Sequence, residues 1–326
     1  LDFARGQFRL AVEHGTEAVN IAMAVGDGVT MGRIWFVSAS QSALGDLSEA
    51  MTMLASAASR TDGRSLGSQR NVITATGLVL ATAQGLSEDE LPELLACGVE
   101  DEYAELFEFW LAMRFGTLED PIGQLSQHTD LIDGGMVSSL FFSLIYLDLI
   151  SGVGQAEVHD ARLEKMQADY AKVMVSITAF PSLGVESRNL SAAHAWRTKN
   201  SGIASSLLES HSVGDDSPFA PRISSSNQHT VGLLKLLVGD ESGFEALENA
   251  ISDCRKAGAK LELLRTLANY SEALIERDNP GDRDKATRLQ VEAIAIATTL
   301  GMKPMLERVL AQIIGRTPRL CGTGAL

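Results

Sequence analysis

Apolar residues recur along this chain at three- and four-residue steps, the period of a helix that buries one face. Phe8, Ala11, Val12, Gly15, Ala18, Val19 and Ala22 make the first such stripe, and Gly26 with Asp27 ends it. Met31, Ile34, Trp35 and Val37 make a second before Gly45 and Asp46. Met51, Leu54, Ala55 and Ala58 make a third, and Val72, Ile73, Thr76, Val79 and Leu80 a fourth. Ser87 and Glu90, bracketed by Leu86 and Leu91, have the form of a capping box with its hydrophobic staple and predict a helix start. Helical stripes follow at Tyr103–Leu111, at Met136–Ile150 and from Ala161 to Ile177, where Pro181 stops the pattern. From His211 to His229 the chain turns to Gly, Asp, Pro and three serines, which reads as a long surface loop or a boundary. Four more stripes close it: Phe244–Cys254, Leu261–Leu274, Ala286–Leu300 and Leu306–Ile313, the last opened by Pro304. No stretch alternates with period two, so the expected fold is all α.

Within these helices small residues repeat at fixed offsets. Gly6, Ala11, Ala18 and Gly26 are matched 275 positions later by Gly281, Ala286, Ala293 and Gly301, and Gly45, Ala50 and Ala57 keep the first three places. Small residues at constant helical spacing let helices cross closely in unit after unit, which predicts an α-α superhelix (solenoid) of antiparallel helix pairs. The expected organisation is 1–85 for well-formed repeats, 86–210 for degenerate acidic ones, 211–230 for a loop or boundary, 231–315 for repeats again and 316–326 for a flexible tail.

Charge changes this picture in one place. The net charge is −15, and between Asn71 and Ala161 sixteen acidic residues face one basic residue, Arg114. That segment carries the whole imbalance. A face able to neutralise phosphates is missing from the pattern, so nucleic acid is not an expected partner. The acidic helices read as solvated faces, with recruitment of a basic protein surface as the other reading. The most apolar stretch is shorter than the ~20 residues a bilayer needs and contains Asp148, so no membrane role is expected. Cys97, Cys254 and Cys321 lie far apart and form no CxxC, which suits a reducing, cytoplasmic compartment.

Chemistry is sparse. Gly63-Arg64-Ser65-Leu66-Gly67 matches the GxSxG form of a nucleophile elbow, but a helix precedes it where that chemistry needs a strand, so a hydrophilic turn is expected. Phosphate-cradling and HExxH patterns are absent, and none of the six histidines has a ligand-spaced histidine or cysteine partner. No catalytic residue, cofactor or metal is expected. The aromatics Trp35, Tyr103, Phe107, Trp110, Tyr146 and Trp196 read as core residues or, alternatively, as anchors lining a protein- or effector-binding groove.

The segment Ala4-Arg5-Gly6-Gln7-Phe8 with Ala11 and Ala18 is similar to the tetratricopeptide pattern, as is Leu44-Gly45-Asp46 with Ala50 and Ala57. The closing run resembles a narrower group: Gly281-Asp282-Arg283-Asp284-Lys285-Ala286, Ala293 to Ala297, Leu300-Gly301-Met302 and Leu306-Glu307-Arg308-Val309 look like the end of the helical-repeat region of large bacterial signalling proteins. Those proteins carry STAND- or AAA-like ATPase modules, often with a cyclase or kinase domain. MalT-like and LuxR-type regulators are relatives. The resemblance implies a non-catalytic scaffold that docks a protein or peptide, including upstream domains of its own polypeptide, since Leu1 already lies in the first unit. A small-effector sensor of the LuxR/MalT kind is the alternative, and the short tail favours the ATPase or cyclase setting.

Overall fold

The computed structural model describes residues 1–27, 33–60, 69–85, 101–127, 136–152, 161–166, 168, 184–210 and 217–315; for some helical residues among them it describes the backbone alone. The helices are α1 (Phe8–Val25), α2 (Ile34–Leu44), α3 (Leu47–Arg60), α4 (Gln69–Gln84), α5 (Asp101–Arg114), α6 (Pro121–Gln127) and α7 (Met136–Gly152), then α8 (Gly184–Thr198) and α9 (Ser201–Glu209). The chain closes with α10 (Asn227–Leu237), α11 (Gly243–Ala257), α12 (Lys260–Arg277), α13 (Asp282–Thr299) and α14 (Lys303–Ile314). Among the described residues the β structure is one isolated bridge, Phe219 to Ser226. The fold is all α, and most helices pack on their sequence neighbours, as in a helical-repeat array.

Most of the small residues at the repeated offsets lie at helix boundaries or in buried positions. Gly6, Gly45 and Gly281 stand immediately before or between helices with φ of 69°, 90° and 89°, a region that side chains with a β-carbon resist. Gly26 caps the end of α1 in the same left-handed conformation. Ala11, Ala50, Ala286 and Ala293 are buried, whereas Ala18 is exposed. Ala57 lies on α3 with its side chain outside the described residues. Close crossing also occurs where the repeat did not announce it. A β-carbon on Gly15 would stand 2.5 Å from Val37 Cγ2, and one on Gly243 would stand 2.6 Å from the Gly232 carbonyl oxygen of α10.

Contacts distant in sequence join the array across its length. α4 packs on α12, α7 packs on α14 and on α4, and α8 packs on α7 and α10. One hydrophobic core therefore runs from Val19, Ile34, Leu47 and Leu54 to Leu264, Leu267, Ala286 and Val309. A second gathers Trp110, Ile145, Tyr146, Leu163 and Val185 around α7, and a third packs Phe3, Phe8 and Trp35 where α1 meets α2. α12 lies at the centre: every residue from Leu261 to Leu274 is buried. Its leucines each contribute about 1.5–3 kcal/mol by leaving water. The capping box at Ser87 and the Gly63–Gly67 turn lie outside the described residues.

Candidate functional site

Residues 217–227 were expected as part of a surface loop or boundary. The backbone is a loop, but from Phe219 to Asn227 it is buried. It enters between α2, α8 and α12 and is held as a bound peptide would be. Phe219 donates its amide to the Ala43 carbonyl (3.2 Å), and Ser226 donates its amide to Glu262 Oε1 (2.9 Å). The loop closes on itself through Ala220 N to Ser225 O (2.8 Å) and Asn227 N to Pro218 O (3.0 Å). Asn189 on α8 donates to the Ser225 carbonyl (3.3 Å). Side chains anchor it at both ends: Phe219 enters the core of α12, and Ile223 enters the core around α7. Between them Arg222 reaches Glu186 with two parallel bonds, Nε to Oε2 (2.9 Å) and Nη2 to Oε1 (2.8 Å). Such a bidentate pair is among the stronger and more directional polar contacts. Ser143 donates to the same carboxylate (2.7 Å), so both of its oxygens are occupied.

Behind this strap a charged stripe runs along α12. Glu262, Arg265, Asn269 and Glu272 fall at offsets 0, +3, +7 and +10, which puts them on one helix face. Glu262 accepts from His229 Nδ1 (2.8 Å) and, on its other oxygen, from Arg265 Nη1 (3.3 Å). Arg265 also pairs with Asp148 of α7, whose second oxygen accepts from Trp110 Nε1 (2.7 Å). His229 Nε2 faces the Asn269 amide nitrogen at 3.0 Å, so the imidazole bridges Glu262 and Asn269 on the same helix. Asn269 Oδ1 in turn accepts from Arg308 (2.7 Å), which also donates to Glu272 (2.7 Å) and to the Ser151 carbonyl (2.6 Å). Arg197 and Lys199 complete the ring around Glu272, each at 3.2 Å.

These neighbours set the protonation of the stripe. Burial pushes the Glu272 carboxyl up, but Arg308, Arg197 and Lys199 outweigh it and hold it at about 2. Burial opposes ionisation of Glu262 too, and His229, Arg265 and the Ser226 amide keep it below the ordinary range. Burial lowers Arg197 to about 10, with Arg308 adding to the effect. Most charges of the stripe meet an opposite charge or a strong donor, an arrangement that fixes helix positions. Arg114, at the end of α5, differs. Burial brings it to about 10, partly countered by Asp148, and its Nε and Nη2 meet no hydrogen-bond acceptor among the described residues.

Four of the aromatic candidates, Trp35, Trp110, Tyr146 and Trp196, are buried. Trp110 and Tyr146 are sealed in the core around α7, and Trp35 stacks on Phe36 with ring centres 3.7 Å apart. Trp196 is buried with Lys199 over its ring at 3.8 Å. Tyr146 donates its hydroxyl to His194 Nδ1, or accepts from it, at 2.7 Å, while burial raises the phenol and lowers the imidazole. Tyr103 and Phe107 lie on α5 with side chains outside the described residues. Sequence reasoning did not find Glu262, His229, Arg265, Glu272 and Arg308 as a set, and the available signal was the polar stripe inside the Leu261–Leu274 helix. Among the described residues no group of three or more His, Cys, Asp or Glu is placed to hold a metal, and no helix is long and apolar enough to cross a membrane. Neither the known protein-family models nor the curated proteins give a match to this chain.

Proposed function

We propose that the chain is a non-catalytic scaffold of tetratricopeptide type that docks protein segments, serving as the sensor or docking region of a larger ATPase- or cyclase-containing signalling protein. The observation that carries this reading is the strap at 217–227. The helices hold a looped segment through backbone bonds, two apolar anchors and a bidentate arginine, the kinds of contact by which helical repeats grip a peptide. The charged stripe supports it, because its carboxylates and imidazole are engaged with one another inside the bundle. Proximity cross-linking in the cells that make the chain, followed by titration calorimetry on the purified pair, tests it. Direct binding that survives in Glu262→Gln is expected. A turnover activity that a folded Glu262→Gln or His229→Gln variant loses would overturn the reading.

A second reading, a small-effector sensor of the LuxR/MalT kind, is favoured by one feature, the buried Arg114 guanidinium, whose Nε and Nη2 meet no acceptor among the described residues. An anionic effector would satisfy them. Thermal shift with inorganic phosphate and with citrate checks this: a rise in Tm in the unaltered chain, absent in Arg114→Gln, supports it. An equal response in both chains, or none, removes it.

A further inference from the structure

We propose that the strap at 217–227 is a built-in occupant of the docking groove, and that a partner segment of the same chemistry takes its place. That segment carries an aromatic residue, an arginine three positions on and an aliphatic residue directly after it. The inference rests on the docking reading and adds what keeps the groove filled and what the groove selects. The strap supplies the pattern itself. Phe219 fills the core against α12, Arg222 pairs with Glu186, and Ile223 fills the core around α7. Phe219 and Ile223 enter different cores, so an exchange changes the packing of both at once.

The seat is built for a cation. Glu186 is wholly enclosed and takes its counter-charge from the strap. A strap that simply swung out would leave this carboxylate buried without its cation, which is strongly unfavourable. Replacement by another arginine-bearing segment avoids that state. The net charge of −15 draws cationic segments toward the chain.

Three features mark the strap as replaceable. Ser224 has φ of 49°, a region that a residue with a β-carbon resists, and its hydroxyl meets that of Ser42 at 2.9 Å. The seated strap is therefore strained, and a free segment does not inherit that strain. Several of its backbone bonds are internal, including Ser224 N to Ala220 O (3.1 Å) and Ala220 N to Ser225 O (2.8 Å). The strap thus keeps its own loop shape and leaves few backbone bonds to the groove walls. Finally, an open cleft whose wall includes Leu44, Asp46, Ser217 and Pro218 reaches the first residues of the strap.

A fluorescein-labelled peptide with the sequence Ser217 to Gln228, followed by fluorescence polarisation against the full chain, tests the exchange. The tethered strap competes at high effective concentration, so Phe219→Ala in the chain, which vacates one anchor, is expected to tighten peptide binding about tenfold. Ser224→Gly relieves the strain and is expected to weaken it. Ser42 and Ser224 are placed for a cross-link, so Ser42→Cys with Ser224→Cys gives a strap locked by oxidation and freed by dithiothreitol. Peptide mapping verifies the pair, and circular dichroism melts verify that each chain folds. The locked chain is expected to lose the peptide, and the peptide carrying Arg222→Ala is expected not to bind. Equal binding to locked and freed chains overturns the proposal. So does an Arg222→Ala peptide that binds as well as the original, or a peptide that fails to bind the folded Phe219→Ala chain. The docking reading fails separately. A protein partner that binds locked and freed chains alike overturns the exchange and leaves docking standing, whereas peptide exchange with no protein partner removes docking and keeps the exchange.

Discussion

α1 and α13 begin alike and come to rest in different surroundings. Each follows a glycine of positive φ, carries alanines at the same two offsets and ends at a glycine. Yet Leu300 is sealed in the core while its counterpart Val25 faces water. The repeated small residues govern how closely a helix can be approached. How much of the helix is then buried depends on what arrives, and α13 receives α12, which is buried from Leu261 to Leu274. The pair separates two causes that usually act together, local pattern and tertiary neighbourhood.

The comparison can be broken most forcefully at α12, on which α13 packs. Arg265→Met leaves Asp148 and Glu262 buried without their shared cation and is expected to cost about 3–5 kcal/mol by urea unfolding. Adding Asp148→Asn should recover part of that loss. Leu300→Ala is expected to cost about 2–5 kcal/mol because it opens a cavity in the core, whereas Val25→Ala at the equivalent place should stay within about 0.5 kcal/mol. Equal losses at the two positions would dissolve the contrast.

Acid offers a subtler probe. The Glu272 carboxyl is held at about 2, below its ordinary value near 4.5, so its contribution is complete above about 4.5 and is lost as the pH falls toward 2. Urea midpoints measured across that window should fall steeply in the unaltered chain and less steeply in Glu272→Gln. Next in size comes overpacking. Ala293→Leu is expected to destabilise by about 1–3 kcal/mol, and Ala18→Leu by far less, since Ala18 is exposed. The exposed Arg255–Glu292 pair marks the small end of the scale: Arg255→Ala should change stability by less than about 1 kcal/mol.

Helix ends and crossings were legible because they depend on nearby residues. Gly26, Gly45 and Gly281 marked helix boundaries through a backbone demand that glycine meets locally, and Pro304 marked the start of α14. The site was not legible, and α12 shows why. Glu262, Arg265, Asn269 and Glu272 repeat with helical spacing, which in sequence looks the same whether the stripe faces water or other polar side chains. Arg265 finds Asp148 117 positions away, and Arg308 finds the Ser151 carbonyl 157 positions away. The strap at 217–227 misled for the same reason, since Pro218 and three serines signal a turn without saying that Glu186 and Glu262 enclose it. Trp110 and Trp196 went to the core because their neighbours closed over them.

Hydrogen exchange on the chain tests most directly whether neighbourhood outweighs pattern. The amides of α12 and α13 are expected to exchange only through global unfolding, while those of α1 exchange far faster through local opening. Matching protection in α1 and α13 would contradict the account, because the shared spacing alone would then be setting the stability of both helices.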